Sequence, residues 1–176
     1  MYSFLGLFFL MFFSVDSFKF TNGVTKPLGY FDPLGFAKNK PPSELVKLRE
    51  AELKHGRWGM ISAVAIPTTE LVTHEKGIHV LDKVDTTTLS LFIMLAAVAE
   101  FRSMLLGWEN PFIYPSRYFT MKEDYPAGDL GLNLPVPFIG SNETFMSNAE
   151  LNHGRLAMIG SLGMIAQEMV TNQPIF

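Results

Sequence analysis

Glu52-Leu53-Lys54-His55-Gly56-Arg57-Trp58-Gly59-Met60-Ile61 is written a second time as Glu150-Leu151-Asn152-His153-Gly154-Arg155-Leu156-Ala157-Met158-Ile159. The offset is constant at 98 residues, and it continues through Glu70 and Glu168, Val72 and Val170, Thr73 and Thr171. Chance similarity between two apolar helices does not give the same E-x-x-H-G-R at the same phase. The repeat predicts two helices related by a pseudo-twofold axis and crossing near the motif.

The motif has its own mechanics. Glu and His at i and i+3 share one helix face. Arg at i+5 points elsewhere, toward a partner. In a crossed pair, Glu52 reaches Arg155 and Glu150 reaches Arg57. An unpaired charge at a bilayer centre costs roughly 2.5–3.5 kcal/mol or more, so pairing is close to obligatory there. Such pairs fix register more clearly than they add net stability, because desolvation offsets the attraction. Gly56 and Gly154 allow the backbones to approach closely.

Outward from the motif, the chain divides into three helices. The first is expected at about 43–73, starting at Ser43 after Pro41 and Pro42, with a kink at Pro67. A polar stretch follows, with a short amphipathic helix around Ile78, Val80, Leu81 and Val84. Asp85 and the threonines after it offer N-caps for a second helix at about 87–107. A loop rich in Pro, Gly and aromatics leads to the third helix, at about 141–171. The first and third would each be on the order of 45 Å long, enough to cross a core of about 30 Å with tilt.

Hydropathy alone objects to this picture. The longest charge-free stretches are Met1–Val15, Trp58–Thr69, Thr86–Ala99, Leu130–Asn142 and Leu156–Gln167, and none reaches the roughly 18 residues of an ordinary span. The repeat resolves the conflict, since its charges interrupt the spans as reciprocal pairs. Hydrophobic residues at 48% and charged residues at 18% argue against disorder and lean toward a membrane protein. A net charge of -3 advertises no basic face, so nucleic acid is not an expected partner. The absence of cysteine excludes disulfides, thiolate catalysis and cysteine-bound metal clusters. Residues 1–17 read as a signal or targeting segment, with an apolar core at Phe4–Phe13. Residues 18–42 read as an extended arm, and 43–176 as the helical domain.

Two site chemistries use such Glu and His pairs. A carboxylate-bridged di-iron bundle needs a further Glu from each of two more helices. Only Glu100 sits in the middle helix, and each motif arginine would compete for its Glu. The other chemistry is chlorophyll, whose ring leaves Mg²⁺ needing one protein oxygen or nitrogen.

With these residues the chain resembles the three-helix light-harvesting chlorophyll-binding antenna superfamily, over roughly residues 28–174. Two E-x-x-H-x-R helices flank a middle helix with a carboxylate, and Asp32-Pro33-Leu34-Gly35-Phe36 precedes the first helix. Arg49-Glu50-Ala51-Glu52-Leu53-Lys54-His55-Gly56-Arg57 and the closing Thr171-Asn172-Gln173-Pro174-Ile175-Phe176 resemble red-lineage, fucoxanthin-type members. The resemblance implies an all-α membrane protein with three transmembrane helices. The first and third are long and crossed, and a short amphipathic helix accompanies them. It implies Glu52, His55, Glu100, Glu150, His153 and Gln167 as chlorophyll magnesium ligands. Arg57 and Arg155 pair with the two motif carboxylates, and Arg102 lies near Glu100. His79 is a weaker ligand candidate, and His74 and His79 both have a plain reading as solvated loop histidines. Glu100 also reads as a satisfied charge, and Gln167 as a helix–helix hydrogen bonder.

Three departures stand out. Phe92 occupies the place of a family glutamine ligand, eight residues before Glu100. The terminal amphipathic helix of plant relatives has no counterpart before Phe176. The second loop, Gly128-Asp129-Leu130-Gly131-Leu132, lacks the proline of Asp32-Pro33. Trp58 is expected to pack at the helix crossing, and Trp108 is a candidate for a membrane interface.

The implied function is a light-harvesting antenna. It would hold chlorophyll a, chlorophyll c and xanthophyll carotenoids and pass excitation to a photosystem, with photosystem I favoured. It would not be an enzyme. Its implied partners are a photosystem core, neighbouring antenna subunits and thylakoid lipids. Its implied place is the thylakoid of a secondary plastid of red-algal origin, as Ser17-Phe18 resembles a targeting junction. The alternatives are a photoprotective, energy-dissipating relative and a di-iron carboxylate helical enzyme.

Overall fold

A computed structural model describes residues 24–25, 29–117, 119–131 and 143–175. The expected targeting segment 1–17 lies outside the described residues. Three α-helices lie among the described residues: α1 (Pro42–Thr73), α2 (Thr86–Gly107) and α3 (Glu143–Thr171). Six residues, Gly77–Asp82, form a 3₁₀ helix where the sequence predicts an amphipathic one.

Helix ends follow local chemistry. α1 starts one residue before the expected Ser43. Pro41 is its N-cap and Pro42 lies in the first turn, where a missing N–H costs nothing. The helix continues through Pro67. Asp85 caps α2 as its sequence suggests, accepting a hydrogen bond from Thr87 N at 3.0 Å. The repeat extends to the C-termini of α1 and α3. His74 and Asn172, 98 positions apart, both adopt left-handed backbone (φ 56° and 55°). Their N–H groups donate to Glu70 O (2.7 Å) and Glu168 O (2.9 Å).

α1 and α3 run in the same direction and cross at glycine. A Cβ on Gly154 would stand 2.9 Å from Gly56 Cα, and one on Gly56 would stand 3.1 Å from Gly154 Cα. Gly59 lies as close to Met158, with 2.9 Å from its hypothetical Cβ to the Met158 backbone N. Leu53 and Leu151, another repeat pair, are buried beside the crossing. Past it, two buried carboxylates tie down the far ends. Glu70 accepts from Gly77 N (3.3 Å) and Ile175 N (2.8 Å). Glu168 accepts from Ile78 N (3.0 Å).

α2 stands apart. Close backbone packing joins α1 to α3 and the 3₁₀ helix to both, while α2 takes almost no part in it. Of its residues only Ser103 and Gly107 are buried. It lies antiparallel to α1, held by a few side chains: Ser103 to Glu50, Glu100 to Lys54 and Phe92 to Trp58. The Trp58 and Phe92 rings meet edge-on at 5.7 Å between centroids. Trp58 therefore does not pack at the helix crossing as expected. Gly59 faces α3 there, and the preceding position on the helix turns toward α2. At the other end of α2, beside the start of α1, a small cluster of Val46, Met121 and Tyr125 buries the base of the loop after α2.

α2 is also the one described helix apolar and long enough to cross a membrane by composition, at 22 residues. α1 and α3 carry the motif charges. Five hydrophobic residues are buried among those described. For a chain 48% hydrophobic, most of the apolar surface therefore faces outward rather than into a protein core.

Candidate functional site

The crossing brings together the residues that the repeat singles out. Arg57 Nε donates to Glu150 Oε1 at 2.7 Å. Arg155 donates to Glu52 Oε1 from Nε (2.8 Å) and Nη2 (2.7 Å). The reciprocal pairing expected from the motif is therefore present. All four side chains are partly exposed, between 28% and 39%, so the pairs line the flanks of the crossing rather than its centre.

The two pairs differ in their surroundings. Glu52 has a second arginine, since Arg49 Nη1 donates to its Oε2 at 2.8 Å. Both oxygens of Glu52 are thus engaged. On the other flank Arg57 spends Nη2 on the backbone O of Gly128, at 2.8 Å. Glu150 Oε2 has no hydrogen-bond partner among the described residues.

The histidines are set alike. His55 Nδ1 lies 2.7 Å from Ala51 O, and His153 Nδ1 lies 2.7 Å from Ala149 O. A carbonyl oxygen only accepts, so Nδ1 carries the hydrogen. In the neutral ring the lone pair is then on Nε2. Both rings are exposed, which fits a group that offers nitrogen to an external metal. The backbone carbonyl fixes the tautomer as outer partners of metal-bound imidazoles do.

The middle helix departs from expectation. Glu100 does not meet Arg102. Its Oε2 accepts from Lys54 Nζ at 2.5 Å, while Arg102 donates to Leu130 O (3.0 Å) and Gly131 O (3.4 Å). With a two-residue spacing, helical geometry turns Arg102 well away from Glu100, toward the loop. Glu100 Oε1 remains without a hydrogen bond among the described residues. Gln167 is exposed on α3, and its amide makes no interhelical bond among the described residues. His79 is exposed on the 3₁₀ helix, 3.3 Å from Asp82 Oδ2. His74 caps α1. Phe92 meets Trp58 as described.

Glu50 escapes sequence reading. It is 4% exposed. It accepts from Ser103 Oγ (2.7 Å) and Gly128 N (2.5 Å), with Lys54 Nζ at 3.6 Å. It joins α1, α2 and the 128–131 loop at one point. Burial and the Glu50 carboxylate push the neighbouring Tyr125 phenol up to about 12, so it stays a donor, to Asp129 O at 2.6 Å. The i, i+4 spacing of Glu50 and Lys54 was a visible signal for a charged patch facing a partner helix.

The site is thus a crossed helix pair with reciprocal acid–base clamps, outward imidazoles and an apolar exterior. The chlorophyll a-b binding protein family model matches residues 19–169. The chain belongs to that family of light-harvesting, pigment-binding proteins, which is not an enzyme family. It is 34% identical to a chloroplastic fucoxanthin-chlorophyll a-c binding protein of Isochrysis galbana, covering 82% of this chain and 74% of the relative. Against fucoxanthin-chlorophyll a-c binding protein F of Macrocystis pyrifera the identity is 33%, covering 90% and 78%. Against light-harvesting complex stress-related protein 3.2 of Chlamydomonas reinhardtii it is 30%, covering 92% and 68%.

Proposed function

We propose that this protein is an integral thylakoid antenna whose three helices cross the membrane and hold chlorophyll and xanthophyll. The observation that carries the reading is the separation of α2 from the crossed pair. A helix of that apolarity, held by only a few side chains, leaves flanks that the described residues do not fill. Flat and rod-shaped apolar cofactors suit such flanks.

Glu150, His55 and His153 present the most available donors. Glu52, Glu100 and Gln167 complete the ligand set, and His79 is a peripheral candidate. The arginines hold each motif carboxylate in place by direct ion pairs. The pigments supply absorption and excitation transfer, while the protein fixes their spacing and orientation. Chlorophyll a with chlorophyll c, delivery to photosystem I, contact with neighbouring antennae and residence in a red-lineage secondary plastid are finer readings. They rest on the fucoxanthin-type character of the motifs and on the names of the chloroplastic relatives.

Extraction of pigments from the purified protein tests the proposal. Chlorophyll a and c with a xanthophyll are expected. Chlorophyll b in place of c removes the lineage reading, and a chlorophyll-free protein removes the function.

The similarity to stress-related relatives over 92% of the chain favours a second reading, a photoprotective antenna that dissipates excitation. The same ligands serve both roles. Chlorophyll fluorescence lifetime in the membrane-assembled protein separates them, since dissipation shortens it.

A further inference from the structure

Beyond α2 the chain makes a detour that the crossed pair does not use. Its neck is closed by Glu109 N to Thr120 O (3.0 Å) and Lys122 N to Gly107 O (2.9 Å). The neck is fixed to the fold, for Met121 is 2% exposed and the Lys47 ammonium lies 5.3 Å over the Trp108 ring. The loop is also folded on itself. Asn110 Oδ1 accepts from Phe112 N (3.0 Å). Asn110 O accepts from Ile113 N and Tyr114 N (3.1 and 2.9 Å), and Tyr114 O accepts from Arg117 N (3.0 Å).

An ordered loop normally turns its large apolar groups inward. This one turns them out: Phe112 is 95% exposed, Ile113 64% and Phe119 74%. No charged residue occurs from Asn110 to Ser116. The charges gather at the neck instead, where Glu109, Arg117 and Lys122 border a polar recess of about 580 Å³. The Arg117 guanidinium also sits 5.8 Å from the Tyr114 ring centroid. An uncharged aromatic tip ringed by charges, at the end of the most apolar helix, has the composition of a membrane-interface element. The last turns of α2 expose Phe101 and Leu105 in the same way, so the apolar surface runs from helix to loop.

We infer that the 110–116 tip lies against the lipid bilayer, with Phe112 and Ile113 among the upper acyl chains and Arg117 and Lys122 at headgroup level. This rests on the membrane reading above only in requiring that α2 cross the bilayer. The occupant is a lipid surface, not a protein groove.

The chain contains no cysteine, so single nitroxide labels report cleanly. Three full-length, pigment-reconstituted variants in galactolipid–phosphatidylglycerol vesicles are compared: Phe112→Cys, Leu95→Cys in the middle of α2, and Lys38→Cys on the exposed arm. The readout is collision with dissolved oxygen against collision with a water-soluble nickel chelate. Oxygen is expected to dominate at Leu95 and at Phe112, more weakly at Phe112, and the chelate to dominate at Lys38. Chelate access at Phe112 equal to that at Lys38 overturns the proposal. So does a Phe112 label shielded from both reagents, which means that protein or pigment covers the tip. Chelate access at Leu95 overturns the membrane reading itself, and the loop proposal with it.

Discussion

The two copies of the motif hold the same residues at the same spacing, yet they meet different neighbours. On one flank Glu52 is gripped by Arg155 from α3 and by Arg49 from its own helix. On the other, Glu150 has Arg57 alone among the described residues, and Arg57 divides itself between the carboxylate and Gly128 O. The difference comes from outside the motif. Ser147 stands where the repeat would place a counterpart of Arg49, and among the described residues no second arginine reaches Glu150. The position after the motif leucine differs too. Lys54 turns to Glu100 on α2, whereas its counterpart Asn152 accepts from Thr25 of the N-terminal arm at 2.9 Å. A pseudo-twofold scaffold thus carries one doubly clamped carboxylate and one whose second oxygen is open among the described residues.

Removing what both copies share should have the largest effect. Gly154→Leu drives a side chain into the Gly56 backbone, and overpacking there should cost about 3 kcal/mol. Thermal unfolding followed by circular dichroism checks it; an unchanged midpoint means the helices do not meet at glycine. Next come the two carboxylates, taken separately. Glu52→Leu removes the shared partner of two guanidiniums, Glu150→Leu that of one. After allowance for partial exposure, each should cost roughly 1–3 kcal/mol, with Glu52→Leu the more destabilising. The pigment effect should be clearer for Glu150→Leu, which is expected to lose one chlorophyll per reconstituted chain. Unchanged pigment number and stability in Glu150→Leu would remove its assignment as a ligand. Equal losses in both variants would erase the distinction between the copies. The smallest effect is expected from Arg49→Ala, about 0.5 kcal/mol for its pair with Glu52, which lies within one helix. It frees Glu52 Oε2, so pigment at Glu52 should survive detergent dilution longer than in the parent. Faster loss would mean that Arg49 aims the carboxylate rather than competing for it.

The sequence is most legible where the repeat speaks. The crossing glycines, the reciprocal Glu–Arg pairs and the two crossed helices follow from phase and offset alone, whereas α2 is read from its apolar run. Local signals also place Asp85 at its cap. What stays hidden is the rotation of α2. A helix that is apolar on nearly every face has no phase from which to read its neighbours. The Lys54–Glu100 and Glu50–Ser103 contacts could not be read for that reason, and the orientation of Trp58 depends on the same unknown. Arg49 was visible at i−3 from Glu52, but only the fold reveals that it adds to a carboxylate already paired.

The glycine contact at the crossing has a consequence for the constancy of the assembly. Side chains flex, and a gap set by side chains changes as they change rotamer. Here the two copies are held apart by backbone resting on backbone at Gly56 and Gly154, which is nearly incompressible. The crossing therefore acts as a gauge block. Whatever the two flanks carry keeps the same separation while the periphery fluctuates, and any process that depends steeply on that distance inherits its steadiness from two residues that lack side chains.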